Sequence, residues 1–256
     1  MRRKLIAVIA CRNNSSRLYA KPLQTLDSNS KINIIQMIID TLKKSKTISG
    51  IVLGISEMSH NYMYEEIAKK NKIKFFYGSD KDVLKRLVTG AKVAEATDVF
   101  RVTAESPFLS HEYFEKIWMN HKKQDNDLTI FSNNIDGMGF EIFKKKALEI
   151  SHRKGQSKHR SELCDLYIRE NLDKFKVRFF VGGKINKNYR LTVDNPEDLI
   201  LCRKIFIKYQ KDYPLIELKK IKNFLCNNRS ETYIVEKFIS KSKSINNLWA
   251  NVKKIQ

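Results

Sequence analysis

Apolar residues along the chain fall into two alternating patterns. KLIAVIA (4–10), GIVLGIS (50–56), IKFFYG (73–78) and DVFRVTA (98–104) are short and apolar at nearly every position, as strands buried on both faces are. Between them lie INIIQMIIDTLKK (32–44), YMYEEIAKKN (62–71) and DVLKRLVTGAKVAEA (82–96), where apolar residues recur every three or four positions. That is the period of an amphipathic helix. A helix near 111–123 and a strand DLTIF (127–131) continue the series. Strand–helix alternation predicts an α/β fold, a mostly parallel sheet with helices on both faces. Right-handed crossovers then gather the strand-to-helix loops at the carboxyl edge of the sheet, where open α/β sheets bind ligands.

The second half is less regular. GFEIFKKKALEI (139–150) reads as a strand and then a helix, SELCDLYIREN (161–171) as a helix, and FKVRFFVGG (175–183) and YRLTVD (189–194) as strands. PEDLILCRKIFIKY (196–209) and two further helical runs follow. No linker, repeat or low-complexity tract interrupts the series. A single domain over 1–256 is expected, with 205–256 as a C-terminal helical extension.

Composition narrows the function classes. No apolar run approaches the ~20 residues of a membrane span, and the stretch after MRRK serves better as a first strand than as a signal peptide. Four cysteines, at 11, 164, 202 and 226, form no C-x-x-C pair and stand at no metal spacing from a histidine. Reduced thiols and a cytoplasmic location are expected. The net charge of +21 suits a polyanionic partner. Yet the lysines are spread along helical faces, and no zinc spacing, RNA-recognition signature or base-reading basic helix is present. A nucleic-acid-binding protein stays as an alternative class, and a small anionic substrate is the expectation. The histidines do not cluster; His159 and Glu162 read as a surface pair one helical turn apart.

CRNNSSRLYAKPL (11–23) follows the first strand and concentrates the charge where a ligand should sit. Ser15 and Ser16 offer hydroxyls, and Asn14 can take the left-handed conformation of a tight loop. Arg12 and Arg17 can grip phosphate oxygens with a bidentate fork, and Lys21 supplies a point charge. A basic loop without a ligand is the plain alternative.

Five segments in order resemble one family. CRNNSSRLYAKPL matches the ARxGSxRLPGKxL opening of bacterial cytidylyltransferases that include the SpsF-like proteins of spore coat polysaccharide biosynthesis and are related to CMP-sugar (acylneuraminate and Kdo) synthetases. GSDKDVLKRL (78–87), RVTAESPFLS (101–110), GMGFEIF (137–143) and RLTVDNPEDL (190–199) resemble GSExDVLxRY, RxTGDxPxxD, PxGxxxEVF and RLTVDTPEDL. Asn14 stands at the family's loop glycine, Tyr19-Ala20 at its Pro-Gly, Glu105 at its metal-binding Asp, and Leu163 where many members have His.

The resemblance implies a Rossmann-like, three-layer nucleotidyltransferase fold of GT-A-like type. It also implies transfer of CMP from CTP to an acceptor with release of pyrophosphate, in polysaccharide or glycoconjugate synthesis. Lys21, Arg12 and Arg17 would be catalytic. They would bind the nucleotide together with Asn14, Ser15, Ser16, Ser79, Asp82 and Arg86. Glu105 and Asp194 would hold Mg²⁺, a cation that one or two carboxylates plus phosphate oxygens satisfy. Glu141, Glu162 and Arg190 would face the acceptor. The acceptor is left open among a sugar acid, an amino sugar, a sugar phosphate, a polyol phosphate and a phosphonate, and the basic composition favours an anionic one. Asp194 has an alternative use as a helix cap, Asp82 as a first-turn helix acid, and Arg86 as part of a solvated helix face. The resemblance leaves a homodimer open. A nucleotide-sugar-dependent glycosyltransferase is the rival enzyme, but DND (125–127) precedes its strand and so falls at the wrong edge for an Asp-x-Asp metal site. A member that only binds nucleotide is the third reading.

Overall fold

A computed structural model describes residues 3–58, 61–133, 135–182, 189–239 and 254–255. The first half runs β1 (Leu5–Cys11), α1 (Ile34–Lys44), β2 (Gly50–Ser56), α2 (Tyr62–Asn71), β3 (Lys74–Gly78), α3 (Val83–Val93), β4 (Asp98–Arg101) and α4 (Phe114–Lys123). There follow β5 (Leu128–Ser132), β6 (Ile135–Asp136), β7 (Phe140–Lys144), α5 (Lys145–Lys154), α6 (Leu166–Arg169), β8 (Val177–Val181) and β9 (Tyr189–Arg190). Then come α7 (Pro196–Lys208), α8 (Leu218–Asn227), α9 (Arg229–Ile239) and β10 (Lys254–Ile255). The eight-stranded sheet has the order β10-β8-β5-β7-β4-β1-β2-β3, and β6 pairs with β9 in a small parallel ribbon. Within the large sheet only β7 runs antiparallel to its neighbours, β4 and β5. The mostly parallel α/β sheet expected from the alternation is the one observed.

The period of two explains why β1 is apolar throughout. Leu5, Ala7, Ile9 and Cys11 enter one core with α1, α2 and α7, while Ile6 and Val8 enter the other with α3, α5 and α6. Burial on both faces removes polar positions from such a strand. Leu218, Ile221, Phe224 and Val235 of α8 and α9 join the first core, so residues 205–239 of the expected extension pack on the sheet's own helices. Residues 240–253 and 256 lie outside the described residues, as does Gly183 of the expected strand. No described helix is long and apolar enough to cross a membrane.

Two expected elements are shorter than their patterns. The helix over 161–171 reduces to α6. Before it, Ser161 Oγ takes the Leu163 N–H, and the Glu162 carbonyl accepts from Arg101 Nη2 at 2.7 Å. Those contacts hold 161–164 as an open turn across the carboxyl edge. The strand over 189–194 pairs only through Tyr189–Arg190. Beyond them Leu191 N–H donates to the Asp136 carbonyl (2.8 Å) and Val193 N–H to the Glu105 carbonyl (3.0 Å). The chain thereby crosses the ends of the strands and brings Asp194 beside Glu105.

At the opposite edge a buried network ties β1 to β4. Arg3 Nε donates to Asp98 (2.8 Å), and His121 lies between Asp98 (3.1 Å) and Thr129 (2.8 Å). Asp125 of the DND stretch pairs with Arg3 (3.1 Å) and Lys144 (3.0 Å) at this amino edge.

Candidate active site

A cavity of about 240 Å³ opens at the carboxyl ends of β1 and β4. Arg12, Asn14, Ser15, Ser16, Arg17 and Lys21 line it from the loop after β1, Arg86 from α3, Arg101 and Glu105 from β4 and the turn beyond, and Glu162 and Asp194 from the far side. Separate stretches of the chain thus converge on one space.

The loop is braced from below by side chains of other elements. Arg86 Nη1 donates to the carbonyls of Cys11 and Gly54, both at 3.1 Å. Tyr64 Oη donates to the Arg12 carbonyl (3.2 Å), and Asn61 Oδ1 accepts the Asn13 N–H (2.9 Å). Ala20 N–H closes the loop onto the Asn13 carbonyl at 2.8 Å. The left-handed residue is Ala20, at φ 50° and ψ 43°, at the family's glycine position. Asn14, expected there, has no positive φ. The Cys11 thiol is a filler under the loop; burial pushes it up to about 12, which leaves it inert.

Arg86 is not on a solvated face. It is buried, and its Nε has no partner among the described residues. Among the described residues its hydrogen-bond acceptors are neutral carbonyls, and burial lowers its pKa. Such a cation is costly unless an anion meets it. Lys21 donates to Asp194 at 2.5 Å, Arg17 pairs with Asp194 at 3.0 Å, and Arg12 pairs with Glu162.

Glu105 and Asp194 line the same cavity. Burial raises the Glu105 carboxyl, with Asp194 and Glu162 adding to it and Lys21 and Arg101 opposing. Asp194 goes the other way: against the effect of burial, Lys21, Arg190 and Arg17 hold it below the ordinary carboxylate range. Two oxygen donors beside a basic loop fit a hard divalent cation, which takes its other ligands from a bound anion and water. Among the described residues no cluster of three His, Cys, Asp or Glu would bind a metal unaided. Asp194 is not the cap of α7. Asn195 and Asp198 form that capping box, with Pro196 in the first turn.

Three expected contacts lie elsewhere. Ser79 and Asp82 line neither this cavity nor its neighbour. Asp82 caps α3 by accepting the Lys85 N–H (2.8 Å) and pairs with His152 (2.9 Å). Arg190 is buried among Asp136 (3.0 Å), Asp198 (3.0 Å) and Asp194. It braces the acids and reaches neither cavity. His159 pairs with Glu170 (2.8 Å), not with Glu162.

A second cavity of about 200 Å³ adjoins the first and shares Arg101, Val102, Thr103 and Glu162 with it. Glu141 of β7 faces Arg101 of β4 across the antiparallel seam and binds it at 2.7 Å. Among the described residues Glu141, Glu162, Asp136 and Asp165 are its acids, Arg101 its one lining cation, and Ile130, Phe131, Phe140 and Leu163 its apolar walls. Arg101, Asp136 and Asp165 carry no mark in the sequence beyond their place in or near the matched segments.

A model of the cytidylyltransferase family matches residues 6–236. The chain is 26% identical to the spore coat polysaccharide biosynthesis protein SpsF of Bacillus subtilis over 208 residues, 80% of this chain and 87% of that protein. A cytidylyltransferase from Leptospira borgpetersenii has a similar fold, with a TM-score of 0.81 at 24% identity, covering 90% of this chain and 97% of that one. A CMP:2-keto-3-deoxy-manno-octonic acid synthetase in complex with CTP superposes with a TM-score of 0.64 at 13% identity, covering 80% and 99%.

Proposed function

Because this chain belongs to the cytidylyltransferase family, we propose that it transfers CMP from CTP to a small hydroxyl-bearing acceptor, with release of pyrophosphate. The supporting observation is the convergence of Arg12, Arg17, Lys21, Arg86 and Arg101 with Glu105 and Asp194 on one cavity that opens into a second. The nucleotide occupies the basic cavity and the acceptor the adjoining one. Attack by the acceptor oxygen on the α-phosphorus forms a P–O bond as the bond to the β-phosphate oxygen breaks. Such a displacement asks for positioning and charge neutralisation rather than covalent catalysis.

Lys21 neutralises the α-phosphate region, and Arg12 and Arg17 hold the outer phosphates, exchanging Glu162 and Asp194 for phosphate oxygens. Asn14, Ser15 and Ser16 supply loop polar groups to the same chain of phosphates. Glu105 and Asp194 would hold a divalent cation, Mg²⁺ in our reading, which supplies Lewis-acid stabilisation when bound. The likeness to SpsF supports a place in surface polysaccharide or glycoconjugate synthesis. The free thiols among the described residues suit a reducing cytoplasm.

Thermal-shift titration with CTP, UTP, ATP and GTP, with and without Mg²⁺, tests the reading, since a ligand selective for the native state raises Tm. CTP with Mg²⁺ should give the largest rise, and Lys21→Ala should remove most of it. An equal response to all four nucleotides, or none to CTP, would exclude it.

A further inference from the structure

The acceptor's charge can be read from the second cavity. We propose that the acceptor is an amine-bearing sugar or polyol, its ammonium group seated among Asp136, Glu141 and Asp165, and not a sugar acid or phosphate. This rests on the cytidylyltransferase reading for its chemistry and on the cavity alone for its charge.

Each of the four acids has an arginine partner, Glu162 in Arg12, but of those arginines only Arg101 lines this cavity. Arg101 pairs with Glu141, but it stands on the wall shared with the basic cavity. Arg190 and Arg169, which pair with Asp136 and Asp165, stand behind them and do not line the space. A ligand there meets carboxylate oxygens first. Both outer acids are raised first by burial, and at Asp165 another acid of the cavity, Glu141, adds to it. Burial raises the Asp136 carboxyl, with Arg190 opposing and Asp194 and Asp198 adding. Burial also raises Asp165, with Glu141 adding while Arg169 and Arg101 oppose. An ammonium group would relieve both; among the described residues a second anion would meet four lining carboxylates and one lining cation, itself already paired.

The remaining walls suit a carbohydrate. Ile130, Phe131, Phe140 and Leu163 offer an apolar face to ring C–H groups, and Thr103, Ser106, Ser132 and Thr192 offer hydroxyls. Thr103 and Ser106 already bond to each other at 2.7 Å, which orients their oxygens. Leu163, half exposed beside Glu162 at the rim, adds apolar surface and no charge.

Matched probes isolate the charge. Glucosamine, N-acetylglucosamine, glucuronate and glucose 6-phosphate are titrated at pH 7 into the full-length protein, with and without CTP, and followed by saturation-transfer NMR. Glucosamine should bind at least about tenfold more tightly than the other three, the scale of one added ion pair of partly buried groups. Asp165→Asn should remove most of that preference. Asp136→Asn, at a more exposed acid, gives the same readout if the first variant folds poorly. Tighter or equal binding of glucuronate or glucose 6-phosphate overturns the assignment. So does silence from all four probes, or a preference untouched by both substitutions. The CTP thermal shift is measured on the same samples. Its absence would sink the nucleotide reading while leaving a glucosamine preference standing, and the converse result would sink only the acceptor class.

Discussion

The two adjoining cavities differ mainly in sign. Among the described residues the first is lined by Arg12, Arg17, Lys21, Arg86 and Arg101 against three acids, and the second by Arg101 alone against four acids. Both draw on the same turn after β4, and a single antiparallel pair, Arg101 with Glu141, marks the boundary. A chain of net charge +21 therefore encloses an acidic pocket a few residues from its most basic one. Net charge describes the far field of a protein. It says little about a site whose walls are set by which strand ends meet.

The largest expected effect is on the basic side. Lys21→Ala should lower kcat/KM for CTP by on the order of 10²–10³, as loss of one preorganised charge near a reacting phosphate does. Steady-state pyrophosphate release measures it. Lys21→Arg should recover only part, because a planar fork replaces a compact point charge. A loss below about tenfold in Lys21→Ala would mean that the loop's charge is redundant.

Glu141→Gln attacks the boundary. Arg101 would keep its place, mostly buried, with its carboxylate partner gone. Removing one member of such a pair costs about 3 kcal/mol, read as a lower midpoint in urea unfolding at unchanged slope. The same change moves the second cavity towards neutrality. If stability is unaffected, water already reaches the pair and the contrast between the cavities is softer than their linings suggest.

Much of the basic cavity was legible because its residues are contiguous. One loop after one strand carries Arg12, Arg17 and Lys21, and strand order predicts which edge it occupies. Glu105 and Asp194 were legible through their positions at strand ends. The acidic cavity was legible only in Glu141 and Glu162; Asp136 of β6 and Asp165 at the α6 cap were not, because their meeting with Glu141 depends on β7 entering the sheet antiparallel. Arg190 misled for a related reason: its segment is family-like, but its guanidinium turns inward to hold three aspartates. Asn61 and Tyr64 brace the loop from a different helix, a relation that no spacing records.

Acidification separates the cavities more gently. Asp136 and Asp165 are displaced upward, so lowering the pH from 7 towards 5 protonates them before ordinary carboxyls. Glu141, Arg101, Arg169 and Arg190 face these groups and set how far the field falls. Binding of glucosamine should weaken by about threefold to tenfold, whereas Asp194, displaced downward by Lys21, stays ionised. Stability responds with the opposite sign at these two groups, because a carboxyl raised in the folded state is relieved when protonated. Asp98 is the counterweight. Against the effect of burial, Arg3 and His121 hold it at about 2, so its contribution is complete above the ordinary aspartate range and is lost only as the pH falls towards 2.

The smallest effects compare one backbone position on each side. Gly137, on the acidic cavity, has φ +92°, and a Cβ there would come within 2.5 Å of the Thr192 nitrogen. Gly137→Ala should therefore cost about 1–3 kcal/mol from conformation alone, with the clash added, and should displace Thr192 from the cavity wall. Ala20, in the basic loop, is also left-handed, so glycine would relieve about 1–2 kcal/mol of strain. Two terms oppose that relief. Glycine loses roughly 0.5–1 kcal/mol more backbone entropy on folding, and the buried methyl forfeits about 0.8 kcal/mol of transfer free energy. The sum lies near zero, and Ala20→Gly should shift the urea midpoint little in either direction. That balance explains how alanine can stand at a turn built for glycine. A clear loss of stability in Ala20→Gly would show that packing of the methyl outweighs the strain and helps to hold the basic loop in place.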